Sequence, residues 1–326
     1  MIRRALVMTA AVGAAAVSIG PVSDRLARRL MAAPRRLPEE SGMAVLLDRL
    51  GGEVVRLRSR DGVRLTGRWL AAEPGEDDWV ADPREAILLL HGYSGSVTPD
   101  LLELGPFLRR IAGVLGLDFR GHGGSDDAPT TFGLDEVEDV AGALAWLGDR
   151  GVRRVALVGS SMGGITAIAA TAILGDGRLA VADAPSDAPA SSVDAPRPRI
   201  VAVVADSVTP EVALVVGRRM GVPGGVRLAD HAFSRFGRIV GGDPRDIQPV
   251  ASVGLLEDVP LLLVHGGADE LIPPWAAARL AAAAPVGTRH LVVEGAGHGE
   301  AHATDPAAWE AAAGEHLRAA FRDARP

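Results

Sequence analysis

The chain has 326 residues and a formal net charge of −7 at neutral pH; 48% of its residues are hydrophobic and 23% are charged. This balance is typical of a globular protein and gives no basis for nucleic-acid binding. Cysteine, lysine and asparagine are absent, which excludes thiol catalysis, disulfides, thiolate zinc sites, lysine Schiff bases, lysine-dependent phosphate loops and N-glycosylation.

The N-terminal region differs in composition from the rest of the chain. Arg3 and Arg4 precede an apolar, alanine-rich run at residues 5–19, and further arginines follow it closely. This pattern indicates a signal peptide or a single membrane anchor within residues 1–22. We therefore expect association with a membrane, or export after cleavage. The positive-inside rule leans only slightly towards a cytoplasmic catalytic domain, so the side of the membrane stays open.

A basic segment follows the apolar run. Residues 22–31 have the pattern of an amphipathic helix, and we expect Leu26, Leu30 and Met31 to face acyl chains while the arginines between them face anionic head groups. Residues 23–52 as a whole are interpreted as a basic linker and a short helix that leads into the main domain.

Alternating apolar residues predict a β-hairpin at residues 54–58 and 63–70, since Asp61-Gly62 between them favours a tight turn. Unbroken apolar runs are typical of central parallel strands that are buried on both faces. Such strands are predicted to end near residues 90, 119, 158, 204, 264 and 293, and helices are predicted over 101–111, 137–147, 164–170 and 305–321.

The turn after the third of these central strands carries the most specific motif. Residues 159–163 read G-S-S-M-G, which matches the pattern G-x-S-x-G between a strand and a helix. A serine at the centre of such a turn has a strained backbone and an exposed hydroxyl. The pattern centres on Ser161 rather than on its neighbour Ser160, so Ser161 is the predicted nucleophile.

A serine hydroxyl needs a base within hydrogen-bond reach, and the base needs an acid to orient it. Asp269 and His298 each follow a predicted strand downstream of Ser161, and we assign them as acid and base. Asp206, at the end of the preceding strand, is the alternative acid. His302 is the alternative base.

A second loop supplies the expected oxyanion hole, which needs two preorganised N–H donors. The run at 86–90 leads into His91-Gly92-Tyr93, and we assign the donors to the backbone amides of Tyr93 and Met162. With residues 118–125, these motifs resemble the α/β-hydrolase superfamily, in its branch of short-cap bacterial serine esterases and serine aminopeptidase-like enzymes. The resemblance extends from about residue 53 to 321.

The resemblance implies an α/β fold with a mostly parallel eight-stranded sheet, helices on both faces and a small cap. The catalytic domain is assigned to residues 53–326, with the cap at approximately 209–259. Residues 212–216, Phe233 and Phe236 supply the apolar content of that cap. Residues 176–199 are interpreted as an exposed low-complexity loop.

The remaining histidines are assigned structural roles. His298 and His302 do not form an H-E-x-x-H motif, and the flanking glycines argue against the helix that such zinc ligands need. We expect His91 and His122 to brace their loops and His265 to pack at a strand end. No metal or organic cofactor is expected.

The sequence thus predicts a serine hydrolase that cleaves a carboxylic ester, a small molecule with an uncharged acyl group. An aminopeptidase-like amide hydrolase is the enzymatic alternative, and a non-enzymatic relative of the same fold is the alternative outside enzymes. Neither the acyl chain nor the oligomeric state follows from the sequence.

Overall fold

The structure, a computed structural model, describes residues 21–32, 42–73, 75, 78–93, 95–175, 197–240 and 242–325. The apolar run at 5–19 and most of the loop predicted at 176–199 lie outside these ranges. Within them, no helix has both the length and the apolar character that a membrane span requires.

An eight-stranded sheet forms the centre of the described chain. Its strands are β1 (Glu53–Arg58), β2 (Arg64–Leu70), β3 (Glu85–Leu90), β4 (Gly113–Asp118), β5 (Arg154–Ser160), β6 (Arg199–Asp206), β7 (Leu261–Gly266) and β8 (Arg289–Val293). Their order across the sheet is β1-β2-β4-β3-β5-β6-β7-β8. β2 runs antiparallel to both of its neighbours, and every other pair is parallel. The predicted fold class is confirmed.

Burial explains why the sequence forms these strands. All six residues of β3, β4 and β7 are buried, as their unbroken apolar runs require in a parallel sheet covered on both faces. β1 alternates between buried and exposed positions because only one of its two faces packs against the core. Its hairpin with β2 pairs residues 53–58 with residues 64–69, as predicted.

Helices cover both faces of the sheet. They are α1 (21–31), α2 (Met43–Arg49), α3 (Val97–Leu108), α4 (Glu136–Asp149), α5 (Met162–Leu174), α6 (Val212–Arg219), α7 (Gly225–Val240), α8 (Pro249–Ser252), α9 (Pro274–Ala283), α10 (Ala301–Thr304) and α11 (Pro306–Ala324). The α3 and α11 side chains share one apolar cluster with the sheet, and α4 and α5 share the other. The carboxyl ends of the parallel strands therefore lie at a sheet edge that has a helical layer on each side.

The segment between β6 and β7 is helical. It contains α6, α7 and α8, with short 3₁₀ turns at Pro244–Ile247 and Val253–Leu255. Phe233 and Phe236 of α7 are fully buried in the same apolar cluster as α4 and α5. This segment thus packs its aromatic side onto the body of the protein.

The prediction that the apolar face of α1 contacts lipid is wrong, because the side chains of that face pack on the protein. Met31 is buried, and Leu26 and Leu30 pack against the main apolar cluster. The carbonyl of Met31 also accepts a hydrogen bond of 2.9 Å from the amide of Thr130. An amphipathic pattern shows that a helix has an apolar face, but it does not show what covers that face.

Two polar contacts fix α1 further. Asp24 forms an ion pair with Arg235 of α7. The hydroxyl of Tyr93 donates to the carbonyl of Leu30 at 3.0 Å. The helix that follows the N-terminal apolar run therefore contacts both α7 and the loop after β3.

Candidate active site

The predicted nucleophile lies on the turn between β5 and α5. Ser161 has φ 51°, a left-handed backbone that a non-glycine residue adopts at a cost of about 1–3 kcal/mol. Glycines let the two elements approach: a Cβ on Gly163 would lie only 2.0 Å from the carbonyl oxygen of Leu90. The turn therefore holds the Ser161 side chain at the carboxyl edge of the sheet, where ligands bind in such folds.

Two hydrogen bonds connect the predicted catalytic residues. His298 Nε2 lies 3.0 Å from Ser161 Oγ, and His298 Nδ1 lies 2.8 Å from Asp269 Oδ2. These distances are within the range for a nucleophile, its base and an orienting acid. The fold thus brings together three side chains that lie on the loops after β5, β7 and β8.

Asp269 is held as a carboxylate. Its Oδ1 accepts from the amides of Leu271 at 2.8 Å and Ile272 at 2.7 Å, while Oδ2 faces His298. Burial opposes ionisation, but the hydrogen bond with His298 and those from the two amides prevail, and the pKa of Asp269 lies below its ordinary value. An ionised acid here can orient the imidazole and stabilise its protonated form.

The alternative acid has other partners. Asp206 Oδ1 accepts from Ser207 Oγ at 2.8 Å, and Oδ2 accepts from Trp309 Nε1 at 3.2 Å. Burial raises the pKa of Asp206, against the effect of these two hydrogen bonds. The structure therefore places Asp269, and not Asp206, against the ring of His298.

The alternative base is likewise engaged elsewhere. His302 lies on α10 with Nδ1 2.9 Å from Glu103 Oε1 and Nε2 3.3 Å from Glu310 Oε1.

His265 Nε2 lies 2.9 Å from the carbonyl of Ile272. In the described ranges, no three histidine, aspartate or glutamate side chains are grouped so as to hold a metal ion.

The assigned oxyanion donors flank the nucleophile. Met162 is the first residue of α5, so its amide has no acceptor within the helix. Gly92 lies beside the nucleophile, since a Cβ on Gly92 would lie 3.6 Å from the Cβ of Ser161. Tyr93 follows it in the same loop. The two assigned amides thus come from the two segments that meet at Ser161.

His91 braces the loop that carries Tyr93. Its Nε2 accepts from the amide of Phe119 at 3.1 Å, so the proton lies on Nδ1, which donates to the carbonyl of Gly92 at 2.7 Å. Burial and the nearby His122 lower the pKa of His91 to about 3. A ring that stays neutral can hold both hydrogen bonds across the whole working pH range.

Phe132 contacts the same loop from the other side, and no sequence pattern predicted this contact. Its ring stacks on Tyr93 with centroids 5.0 Å apart. Its backbone is left-handed, with φ 57°, and the amides of Thr131 and Gly133 on either side both donate to the buried carboxylate of Glu136. A glutamate directly before a predicted helix is too common a feature to reveal this arrangement.

Comparison with known proteins places the chain among hydrolases. The model of the alpha/beta hydrolase family matches residues 87–313, which is most of the chain. A curated protein of Mycobacterium tuberculosis, Rv2307c, is 28% identical over 282 residues, or 85% of this chain and 82% of its own length. YfhR of Escherichia coli O157:H7 is 26% identical over 227 residues; the match covers 69% of this chain and 66% of the relative, just under two thirds.

Solved structures share the fold. The esterase Pf2001 of Pyrococcus furiosus has a TM-score of 0.60 at 21% identity, covering 89% of this chain and 98% of the esterase. A membrane phospholipase A described as a bacterial virulence factor has a TM-score of 0.58 at 17% identity, covering 98% and 99%. With the nucleophile turn and the strand order described above, the family match shows that the chain belongs to the alpha/beta hydrolase family.

Proposed function

We propose that this hydrolase cleaves carboxylic esters through a covalent acyl-enzyme. The observation that carries the proposal is the pair of hydrogen bonds that runs from Asp269 through His298 to Ser161. A buried carboxylate, an imidazole and a hydroxyl in this order make the serine nucleophilic at neutral pH. The strained backbone of the half-buried Ser161 presents its hydroxyl to a substrate carbonyl.

Acylation follows from this geometry. Ser161 Oγ attacks the carbonyl carbon while His298 Nε2 takes its proton, and Asp269 stabilises the imidazolium that forms. The negative oxygen of the tetrahedral intermediate accepts hydrogen bonds from the amides of Met162 and Tyr93. When the intermediate collapses, the bond to the alcohol oxygen breaks and His298 gives its proton to the departing alcohol.

Deacylation repeats these steps with water. His298 removes a proton from a water molecule, whose oxygen attacks the acyl carbon, and the same two amides stabilise the second intermediate. The acid leaves, and Ser161 recovers its proton from His298. Each proton and leaving group is accounted for by side chains and water, and the steps require no metal or organic cofactor.

The surroundings of the site favour an uncharged acyl group of small to medium size. Phe132, Phe233 and Phe236 pack together with centroids 5.0–6.5 Å apart, and all three are buried. This aromatic cluster adjoins Tyr93 through its stacking on Phe132. We infer that this apolar, aromatic surface beside the assigned oxyanion loop suits a short or medium acyl chain.

A fluorophosphonate probe tests the proposal. We expect it to label the wild-type protein and not the Ser161→Ala variant, whereas Ser160→Ala, a matched control at the adjacent position, keeps its label. Labelling of Ser161→Ala, or no labelling of the wild type, would contradict the proposed nucleophile. A comparison of nitrophenyl esters with aminoacyl anilides separates ester from amide preference; faster anilide cleavage would place the enzyme among the peptidases.

A further inference from the structure

Three non-glycine residues in the described part of the chain have a left-handed backbone: Phe132, Ser161 and Ser207. Ser207 directly follows β6, has φ 53° and is fully buried. Strained residues persist where the surroundings over-determine them, and they concentrate at functional sites. Neither the triad nor the oxyanion hole uses Ser207, so its strain needs another explanation.

The side chain of Ser207 connects two segments of the site. Its hydroxyl has one proton, which it donates to Asp206 Oδ1 at 2.8 Å. The same oxygen accepts from the amide of Gly299 at 2.9 Å. Gly299 follows His298 directly, so the hydrogen bond fixes the backbone beside the base.

The left-handed backbone of Ser207 sets the direction of this hydroxyl. The amide of Ser207 donates to the carbonyl of Val264 in β7 at 3.0 Å, and the carboxylate of Asp206 is anchored by the indole of Trp309 at 3.2 Å. Buried contacts thus fix both the backbone of Ser207 and the carboxylate that accepts from its hydroxyl. A fixed hydroxyl can restrain the segment to which it bonds.

The same pair of residues also holds the nucleophile. The amide of Ser161 donates to the carbonyl of Asp206 at 2.8 Å. Asp206 therefore contacts the backbone of the nucleophile, while its neighbour Ser207 contacts the backbone next to the base. The end of β6 is a common support for the two groups that must exchange a proton.

The loop of the base is rich in glycine. It contains Gly295, Gly297 and Gly299, and the first and last of these have positive φ values of 78° and 71°. Glycine-rich segments have more conformational freedom than any others. The hydrogen bond to the amide of Gly299 therefore adds a restraint directly beside His298.

We propose that Ser207 is a positioning residue for the base: its hydroxyl, supported by Asp206, holds Gly299 so that His298 Nε2 stays within hydrogen-bond reach of Ser161 Oγ. This inference rests on the proposed function. Ser207 touches neither substrate nor reacting atoms, and it acts only through the backbone beside His298.

Two variants separate the effect of losing the Ser207 hydroxyl from the effect of relieving its backbone strain. Ser207→Ala removes the hydroxyl and keeps a side chain in the left-handed conformation, whereas Ser207→Gly removes the hydroxyl and relieves the strain. Thr209→Val is the matched control, because Thr209 carries another buried hydroxyl on the same loop, and that hydroxyl donates to the carbonyl of Glu211. The readouts are the rate of fluorophosphonate labelling, kcat and KM for a nitrophenyl ester, and the melting temperature.

Because small errors in the placement of catalytic groups are costly, we expect both Ser207 variants to lower kcat and the labelling rate by about tenfold or more, with KM changed by less than about threefold. Ser207→Gly should melt at a higher temperature than Ser207→Ala without regaining activity. Thr209→Val should keep nearly wild-type rates.

Wild-type rates in Ser207→Ala, or equal losses in Ser207→Ala and Thr209→Val, would overturn the positioning role while leaving the proposed function intact. Recovery of activity in Ser207→Gly would also overturn it, since strain and not the hydroxyl would then be responsible. A wild-type protein that resists the probe and cleaves no ester would refute the proposed function, and this inference with it.

Discussion

Replacing Asp269 by asparagine removes the charge behind His298 and changes little else. The amide oxygen of asparagine can still accept from the amides of Leu271 and Ile272, which now hold Oδ1 at 2.8 and 2.7 Å. The amide nitrogen then faces His298 Nδ1 as a donor. His298 must therefore carry its proton on Nε2, where it points at Ser161 and cannot accept the serine proton.

The size of the effect follows from this wrong tautomer. In serine hydrolases with a triad, such a change lowers kcat by about 10⁴-fold, which corresponds to about 5 kcal/mol of transition-state stabilisation. The lost charged hydrogen bond is worth only about 1.5–3 kcal/mol of folding stability. KM should change little because Asp269 does not face the substrate. Activity thus falls far more than stability does.

Asp206→Asn is the matched comparison. Its amide oxygen can still accept from Trp309 Nε1, but its amide nitrogen can only donate to Ser207 Oγ, so the Ser207 proton loses its acceptor. We expect kcat to fall by about tenfold, far less than in Asp269→Asn. The assay measures kcat and KM for a nitrophenyl ester and the melting temperature of both variants. If Asp206→Asn collapses turnover and Asp269→Asn does not, the assignment of the acid is wrong.

Burial, with the charges of Glu103 and Asp206, raises the pKa of Asp100 from 3.8 to about 7. Between these values the folded protein retains a proton that the unfolded chain has lost, so this residue lowers stability as pH rises through that window. The melting temperature of Asp100→Asn should therefore rise relative to wild type between pH 5 and pH 8, and a flat difference would contradict it. Tyr93→Phe leaves the carbonyl of Leu30 without its donor and should lower stability by about 1 kcal/mol, measured by chemical unfolding; an unchanged stability would show that α1 is not held through this contact. Butyrate or hexanoate nitrophenyl esters should be cleaved faster than palmitate because the aromatic cluster leaves little room, and the reverse order would refute the small-acyl proposal. If residues 1–22 form an anchor, cell fractionation should recover the full-length protein in membranes with an intact N-terminus, whereas a soluble exported form lacking this segment would show a cleaved signal peptide.

The sequence was sufficient for the parts of the site that local pattern encodes. Ser161 lies on a turn whose glycines and flanking strand and helix are contiguous in the chain, and Asp269 and His298 each follow a recognisable strand. These features depend on short-range sterics and on burial of the strands. Their positions could therefore be assigned before any distance was known.

Other parts depend on contacts between residues far apart in the chain, and no local pattern encodes these. Ser207 bonds to Gly299 across 92 positions, and Phe132 stacks on Tyr93 from a different loop. The apolar face of α1 was recognised, but its partner was misassigned, because amphipathicity is the same whether lipid or protein covers the helix. The sequence pattern could not show which residue each of these side chains contacts.

The most direct test of the central claim is to trap the covalent intermediate. The protein is mixed with a nitrophenyl ester, quenched in acid within milliseconds to seconds, and analysed by intact and peptide mass spectrometry. We expect a burst of nitrophenol and one acyl group on the peptide that contains Ser161, with none on the Ser161→Ala variant. An acyl group on another residue, or acylation that persists in the Ser161→Ala variant, would contradict it.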